Sequence, residues 1–463
     1  MNKRKRNIMK KFDLIIIGAG RASNLAAKAG KMGKKVAIIE KSKLGGTCPN
    51  RGCVPSKLLI GYAHVARSIK ESDRHFIDSS INNIDIEKIF EETNKYISKI
   101  DPIYKKKFNE NVEVFYGTGK FVSNNIISVN GEQLTAPKIV IATGTKAIKA
   151  PHPKAWTSDD IFPLEGEIPK SITIVGSGFI ACELANFFSA VGIETKLLVR
   201  SQRILGNEDS DISAIFKEEF VKNVDILFDT SIDTIDYKDN QFNLELINKD
   251  NKKTKHSSQA LLYATGRESN TNSLDLENTD IEVNDRGYIK RDKFFETKAK
   301  GVYVVGDASG ENMLQHAAAQ EVNHLGKILL EDEKEALKFK YIPHGVFTEP
   351  EIASVGITEQ KAKELNIEYV TSITPWIASA KAMSTRLRYP RTKFIVNPNT
   401  YEILGCHLIG PESTTMMHQV LTVMHLDNDI RHLKEMLYIH PALSEALLPA
   451  AVDAVREIEK LSN

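Results

Sequence analysis

The sequence predicts an α/β protein with two Rossmann-like domains and a C-terminal α+β domain. A short apolar strand runs into a glycine turn and a helix near Gly18, and the same pattern recurs near Gly176. From about Tyr341 onward the sequence alternates between strands and helices instead. The 463 residues are enough for about three domains. We expect a first Rossmann-like domain at 1–150, a second at 151–268, a return to the first at 269–340 and the C-terminal domain at 341–463.

The first glycine turn has the features of a dinucleotide site. A predicted strand at 13–17 leads into Gly18-Ala19-Gly20, a helix follows at 24–33, and a second strand at 35–39 ends in Glu40. The glycines allow a pyrophosphate to approach the backbone, the helix N-terminus binds phosphate, and the acid accepts a ribose hydroxyl. Ser23 replaces the usual third Gly or Ala, so we expect slightly looser packing of the helix on the strand.

Between the two glycine turns, the sequence predicts helices and then strands. A charged segment at 86–107 predicts two amphipathic helices interrupted near Pro102. Predicted strands follow at 112–116 and at 138–141, and the second of these leads into the turn at Thr143-Gly144.

The second glycine turn follows a predicted strand at 171–175 and contains Gly176 and Gly178. Its next strand, at 196–199, ends in Arg200 instead of an acid, and Arg203 lies close behind. An acid would bind the ribose 2′-hydroxyl, whereas arginine accommodates a 2′-phosphate. The sequence therefore favours NADP(H) over NAD(H) at this turn. An ordinary pair of surface arginines is the alternative interpretation.

Two cysteines with four residues between them, Cys48 and Cys53, lie in a glycine-rich segment before an apolar run. We expect their sulfurs to meet across one turn at the start of a helix, where the helix N-terminus lowers the pKa of a thiolate. Such a pair can exchange disulfides with a substrate. Buried cysteines or half of a zinc site would also fit the pair, but Cys182 and Cys406 have no CxxC or CxxH neighbourhood, so we expect no metal site.

Composition excludes several classes of function. The chain carries 62 Lys and Arg against 60 Asp and Glu, which argues against a nucleic-acid groove or a membrane surface. There is no apolar run of 18 residues. The basic residues 1–11 lack the apolar segment of a signal peptide, so we predict a frayed tail, with Met9 as an alternative start. Four cysteines in so long a chain favour a reducing compartment, and we predict a cytoplasmic protein.

The segment at 45–57, Gly-Gly-Thr-Cys-Pro-Asn-Arg-Gly-Cys-Val-Pro-Ser-Lys, resembles the active disulfide of the class I pyridine nucleotide–disulfide oxidoreductases. The resemblance extends over nearly the whole chain. It implies that Cys48 exchanges with substrate and that Cys53 faces a flavin. His440 and Glu445 match the family's base dyad, which relatives receive from the partner subunit. The resemblance therefore implies a homodimer with shared active sites and a C-terminal dimerisation domain.

The resemblance also assigns the two Rossmann-like domains to FAD and to NAD(P). The flavin side would include the family's ion pair, in which Lys57 meets Glu183 beside the ring. Residues implied to bind FAD are Gly18, Gly20, Glu40, Thr47, Lys57, Gly119, Thr143, Gly144 and Asp307. Residues implied to bind the nicotinamide nucleotide are Gly176, Gly178, Ala181, Glu183, Arg200, Arg203 and Gly266.

The implied activity is two-electron transfer between a nicotinamide nucleotide and a substrate dithiol or disulfide. The segments at 312–317 and 347–356 resemble dihydrolipoyl dehydrogenase. Arg200-Ser201-Gln202-Arg203 and 439–443 are similar to mycothione reductase, so the alternative is an NADPH-dependent reductase of a low-molecular-weight disulfide, of the mycothione or glutathione reductase type. A docking subunit of a lipoyl-bearing multienzyme complex and a flavin-binding module without redox activity are also compatible with the sequence. We expect the substrate to be a small or protein-bound disulfide or dithiol.

Overall fold

A computed structural model describes residues 9–164 and 166–461. The basic tail predicted at 1–11 therefore lies mostly outside the described residues. The helices of the described chain are α1 (Ser23–Lys31), α2 (Thr47–Arg51), α3 (Cys53–Lys70), α4 (Ile86–Ser98), α5 (Ile100–Lys105), α6 (Phe179–Ala190), α7 (Ser210–Phe220), α8 (Gln315–Glu331), α9 (Glu359–Glu364), α10 (Ala380–Ser384), α11 (Ser413–Leu426), α12 (Arg431–Glu435) and α13 (Leu447–Leu461). None of these helices is long and apolar enough to cross a membrane.

The N-terminal sheet consists of parallel strands with both faces covered, so its strands are almost wholly apolar. The strand Leu14–Ile17 lies in the middle and is completely buried. Helix α1 follows it directly and packs on one face together with α8. From edge to edge the strands are Val302–Val304, Ile139–Ile141, Leu14–Ile17, Val36–Glu40 and Val112–Tyr116. The chain thus returns to this sheet after the second Rossmann-like unit.

The central sheet repeats this arrangement. Ser171–Val175 pairs with Glu194–Leu198 on one side and with Ala260–Tyr263 on the other. Helix α6 begins directly after the glycine turn that follows Ser171–Val175. From edge to edge the parallel strands are Trp156–Thr157, Ala260–Tyr263, Ser171–Val175, Glu194–Leu198 and Asp225–Leu227. Smaller sheets flank the two units: Lys10–Lys11 with Glu132–Thr135, Ile126–Val129 and Lys120–Ser123; Thr230–Lys238 with Gln241–Asn248 and Lys253–Ser258; and Thr145–Ala147 with Arg267–Ser269.

The C-terminal sheet is antiparallel and is covered by α11 and α13. Its strands, in order, are His344–Val346, Ile352–Gly356, Ile403–Ile409, Arg391–Val396 and Val370–Pro375. Lys393 is buried within it, and its Nζ lies within 2.9 Å of carboxylate oxygens of Asp209, Asp211 and Glu359. This ion network connects the sheet to the start of α7. The three sheets confirm the predicted fold class.

The predicted pair of helices with a break near Pro102 is confirmed: the break lies at Lys99, and Pro102 occupies the first turn of α5, where a missing N–H costs nothing. Two other local predictions were wrong. The last helix begins at Leu447 and not at 442, because residues Leu443–Ala446 form a 3₁₀ turn before it. Ser23 does not loosen the packing, since its buried hydroxyl donates to the Ala19 carbonyl at 2.7 Å.

Candidate active site

The two cysteines of the glycine-rich segment lie on separate helices. Cys48 is in α2 and Cys53 is the first residue of α3, with Gly52 forming the bend between them, so the expected single helix start was wrong. Both are free thiols in the structure. The Cys48 thiol donates a hydrogen bond to Cys53, which lowers the pKa of Cys53 to about 7 against the opposing effect of burial. The same hydrogen bond, with burial, raises the pKa of Cys48. The reduced pair therefore holds one thiolate near neutral pH.

An open cavity lies beside the first glycine turn. The space within it, including the part open to solvent, is about 1040 Å³, and Cys48 is one of its lining residues. Gly18 has a φ of +102°, and a Cβ there would lie 2.3 Å from the Ala142 carbonyl oxygen. Glu40 is held by the backbone N–H groups of Ala19 and Ser42, both at 2.8 Å. The predicted flavin residues that line this cavity are Gly18, Gly20, Glu40, Thr47, Thr143, Gly144 and Asp307.

The polar groups of this cavity fit FAD. The Thr143 hydroxyl and the Asn50 amide oxygen are buried there without a hydrogen-bond partner among the described residues. Burial also raises the pKa of Asp307, whose carboxylate accepts a hydrogen bond from the Thr145 hydroxyl at 3.1 Å. Unpartnered buried polar groups are costly, so these atoms indicate a polar ligand. Gly119 lines an adjoining cavity that shares Gly18 with the first, whereas Lys57 lines neither of the two.

Three residues that support this cavity were not singled out from the sequence. Arg267 donates to the Thr145 hydroxyl at 2.9 Å and to the Asp159 carboxylate at 3.1 Å. Thr145 in turn donates to Asp307. Arg267 directly follows Ala264-Thr265-Gly266, which repeats Ala142-Thr143-Gly144 of the first unit. This repeat is the sequence feature from which Arg267 could have been identified.

Lys57 and Glu183 form the expected ion pair. Lys57 Nζ lies 2.9 and 2.7 Å from the two carboxylate oxygens of Glu183, and it lies 4.6 Å from the centroid of the Phe347 ring. The backbone N–H of Phe347 also donates to Glu183 at 3.0 Å. Burial raises the pKa of Glu183, and the Lys57 charge opposes that rise. The pair joins α3, which carries Cys53, to α6 of the second glycine turn.

The second glycine turn reproduces the backbone of the first. Gly176 has a φ of +150°, and a Cβ there would lie 2.5 Å from the Ala264 carbonyl oxygen and 3.0 Å from the Ala181 Cβ. Gly178 precedes α6, and Gly266 has a φ of +131° in the turn after the closing strand. Arg200 is exposed and has no hydrogen bond or ion pair with any described residue. Arg203 donates to the Glu208 carbonyl at 3.0 Å.

His440 and Glu445 meet each other but do not meet the cysteines. His440 Nδ1 lies 2.8 Å from Glu445 Oε1, and Glu445 Oε2 accepts the Ala442 N–H. The His440 hydrogen bond lowers the pKa of Glu445. The His440 side chain is 75% exposed, and it does not line the cavity that contains Cys48. The pair follows an exposed segment in which Leu437 is 97% accessible.

Among the described residues, no cluster of three His, Cys, Asp or Glu could hold a metal.

Comparisons with known proteins agree with this geometry. Residues 12–321 match the family model for pyridine nucleotide-disulphide oxidoreductases, and residues 342–451 match the dimerisation domain of that family. The chain is 30% identical over 446 residues to dihydrolipoyl dehydrogenase of Buchnera aphidicola from Acyrthosiphon pisum, covering 94% of each chain. It is 30% identical over 477 residues to that of Bacillus subtilis, covering 96% of this chain and 98% of the relative.

A solved structure is similar over the same length. The HOCl-induced flavoprotein disulfide reductase RclA from Escherichia coli superposes with a TM-score of 0.84 at 27% identity, covering 95% of this chain and 99% of that one. Two Rossmann-type units, one of them beside a thiol pair, define the class as flavoprotein disulfide oxidoreductases. The chain belongs to the pyridine nucleotide-disulphide oxidoreductase family, with dihydrolipoyl dehydrogenase-like sequence. It is therefore an oxidoreductase acting on sulfur groups with FAD and a pyridine nucleotide, as predicted.

Proposed function

We propose that Cys48 and Cys53 carry the substrate chemistry of this oxidoreductase. The observation that supports this proposal most strongly is the pair of neighbouring thiols, of which Cys48 lines the dinucleotide cavity and Cys53 has a pKa lowered to about 7. FAD, when bound, supplies two-electron transfer between the nicotinamide and this pair.

The thiol exchange conserves atoms and electrons. The Cys48 sulfur gives up its proton and attacks one sulfur of a substrate disulfide, so that the substrate S–S bond breaks and its other sulfur leaves as a thiolate. The Cys53 thiolate then attacks Cys48, which forms the internal disulfide and releases the second substrate thiolate. Both released thiolates take up protons. Lys57 stabilises negative charge near Cys53, and a base near Cys48 is required to move the protons.

Serine replacements test these roles. We expect Cys48→Ser and Cys53→Ser each to lose disulfide turnover by about 1000-fold or more while the purified protein stays yellow, because serine is not a redox group. Cys406→Ala, at a buried cysteine of the C-terminal sheet, is the matched control and should keep its turnover. Undiminished turnover in Cys48→Ser would instead favour a flavin-binding module without thiol chemistry.

We also propose that the nicotinamide nucleotide is NADP(H) in preference to NAD(H). This preference is supported by the exposed Arg200, which follows the strand Glu194–Leu198 of the second Rossmann-like unit. A carboxylate at this position would repel a 2′-phosphate, whereas a guanidinium binds it. The test is an anaerobic titration with NADPH and, separately, NADH, following the absorbance of the bound flavin. Faster reduction by NADPH is the expected result. Efficient reduction by NADH would make Arg200 a surface charge and dihydrolipoamide the leading substrate.

The remaining proposal is a homodimer in which His440 of the partner subunit serves as the base near Cys48. The dimerisation domain, the exposed segment around Leu437 and the separation of His440 from the cavity support it. The test mixes Cys48→Ser chains with His440→Gln chains. If the site is shared, each mixed dimer has one intact site, and an equimolar random mixture regains about a quarter of wild-type turnover. No recovery would place His440 and Cys48 of one chain in the same site.

A further inference from the structure

The chain that leads from Arg203 to helix α7 is fixed to the second glycine turn. We call residues 203–209 the connecting segment. The Leu205 N–H donates to the carbonyl of Ser177, a residue of that turn, at 2.8 Å. Arg203 Nη2 donates to the Glu208 carbonyl at 3.0 Å, so the guanidinium closes the segment on itself. The conformation of the connecting segment therefore determines where the Arg203 guanidinium lies.

The C-terminal domain holds the other end of the connecting segment. Gln360, in α9, donates its side-chain N–H to the same Glu208 carbonyl at 2.8 Å, and its amide oxygen accepts the Ser210 N–H at 3.2 Å. The Glu208 carboxylate accepts the Ser354 hydroxyl at 2.7 Å, and its other oxygen lies 2.7 Å from His344 Nε2. Side chains of the C-terminal domain therefore bind both the carbonyl and the carboxylate of Glu208.

The Glu208 carbonyl, which Arg203 and Gln360 share, connects the C-terminal domain to the nucleotide site. A guanidinium has several N–H donors, so a hydrogen bond to one carbonyl leaves other donors free for phosphate oxygens. A long side chain that is already held in place also loses less conformational freedom when it binds an anion. Gln360 fixes the carbonyl with a second hydrogen bond, and the carbonyl in turn holds the guanidinium.

We propose that Gln360 is a positioning residue for the nicotinamide nucleotide, acting through the Glu208 carbonyl on Arg203, which binds the 2′-phosphate. Selection of the phosphate then depends on a side chain of the C-terminal domain as well as on the arginines of the second Rossmann-like unit. This inference rests on the proposed preference for NADP(H). If Gln360 served only to bind the first N–H of α7, at Ser210, its loss would lower stability without discriminating between the two nucleotides.

Stopped-flow reduction of the flavin-bound protein tests the proposal without a disulfide substrate. Wild type, Gln360→Met, Arg203→Met and the double variant are each mixed anaerobically with increasing NADPH or NADH, which gives a half-saturating concentration and a limiting rate for each nucleotide. Methionine keeps the approximate volume of glutamine and removes its hydrogen bonds. Gln241→Met, the same replacement at an exposed strand position, is the matched control and should behave as wild type with both nucleotides. Thermal unfolding reports any loss of stability separately.

We expect Gln360→Met to raise the half-saturating NADPH concentration about fivefold, while the limiting rate and the value for NADH stay unchanged. Arg203→Met should raise it about 20-fold, again for NADPH alone. Adding Gln360→Met to Arg203→Met should change nothing further, because Gln360 acts through the guanidinium.

Three results would overturn this inference and leave the NADP(H) preference standing. Gln360→Met could weaken both nucleotides equally or neither of them, its effect on NADPH could persist in the Arg203→Met background, or Arg203→Met could keep the full wild-type preference for NADPH. A wild type with equal half-saturating concentrations of NADH and NADPH would contradict the NADP(H) preference itself, and this inference with it.

Discussion

The two glycine turns place nearly the same backbone around different charges. In each, the first glycine has a positive φ and its α-hydrogen faces the carbonyl of a closing strand, Ala142 in one and Ala264 in the other. At the end of the second strand, Glu40 is buried and fixed by two backbone N–H groups, whereas Arg200 is exposed and unpaired among the described residues. The repeated fold therefore constrains the turn strictly and leaves the charge at the strand end free to differ between the two units.

The largest effect on cofactor binding should come from adding a methyl group to the first glycine of either turn. Gly18→Ala would bring a Cβ to 2.3 Å from a backbone oxygen, and Gly176→Ala would bring one to 2.5 Å, both at a positive φ. Because backbone atoms cannot yield cheaply, we expect Gly18→Ala to lose both flavin and turnover. Gly176→Ala should stay yellow, but its reduction by nicotinamide nucleotide should slow about 100-fold or more.

Flavin absorbance after purification and stopped-flow reduction measure these two outcomes. Gly206→Ala is the matched control, because a Cβ at Gly206 would meet no atom within 4 Å. If Gly176→Ala lost its flavin as completely as Gly18→Ala, the assignment of one cofactor to each turn would be wrong.

The next effect concerns the charge of Arg200 and the preference between NADPH and NADH. Arg200→Glu should change the ratio of kcat/KM for NADPH to that for NADH by about 10- to 100-fold toward NADH, because a carboxylate repels the 2′-phosphate and accepts a 2′-hydroxyl. Steady-state kinetics with both nucleotides measures the ratio. Lys238→Glu, the same reversal on an exposed strand, should leave the ratio as it is. An unchanged ratio in Arg200→Glu would remove the basis for an NADP(H) site.

A third effect, on the free energy of unfolding, is expected at the Lys57–Glu183 ion pair, which joins the two units. Lys57→Met leaves the Glu183 carboxylate buried without its cation, and we expect a loss of about 2 kcal/mol in the free energy of unfolding, less than for a fully buried pair because Lys57 is 31% exposed. Urea denaturation of the flavin-bound protein measures it. Glu183→Gln in the Lys57→Met background should recover most of the loss. An unchanged midpoint in Lys57→Met would mean that water already screens the pair.

Both glycine turns and the fold class could be predicted from the sequence because each depends on a contiguous pattern. The strand Ser171–Val175, for example, has the predicted bounds, and Gly176 follows it directly. The Lys57–Glu183 pair, whose members are 126 positions apart in the chain, was reached only through the family resemblance. No local rule connects two side chains so far apart.

The remaining features depend on contacts that the sequence does not reveal. Lys393 lies within the mostly buried strand Arg391–Val396, and its carboxylate partners are 184, 182 and 34 residues away. Arg21 directly follows Gly20 in the first glycine turn, and only the structure shows that its Nε is buried with no partner among the described residues. The late start of α13 was missed because Pro441 is a typical helix opener, whereas here it precedes a 3₁₀ turn capped by Glu445.

The smallest effect should be a shift in the titration of Cys53, which lies between the two units. The hydrogen bond from Cys48 lowers the pKa of Cys53 to about 7, so alkylation of the reduced protein by iodoacetamide should rise with pH through about 7. Without a hydrogen-bond donor at position 48, in Cys48→Ala, the pKa should rise toward the ordinary thiol value of about 8.5. The rate at pH 7 should then fall only about three- to fourfold, because a more basic thiolate is also a better nucleophile.

Mass spectrometry of the labelled peptide separates Cys53 from Cys182 and Cys406, which are completely buried and whose pKa values are raised by burial. Cys406→Ala should leave the titration of Cys53 unchanged. A midpoint that stayed at about 7 in Cys48→Ala would mean that the Lys57 charge, and not Cys48, holds the thiolate. The reactive sulfur would then owe its acidity to the ion pair that joins the two units, and Lys57→Met should raise the midpoint instead.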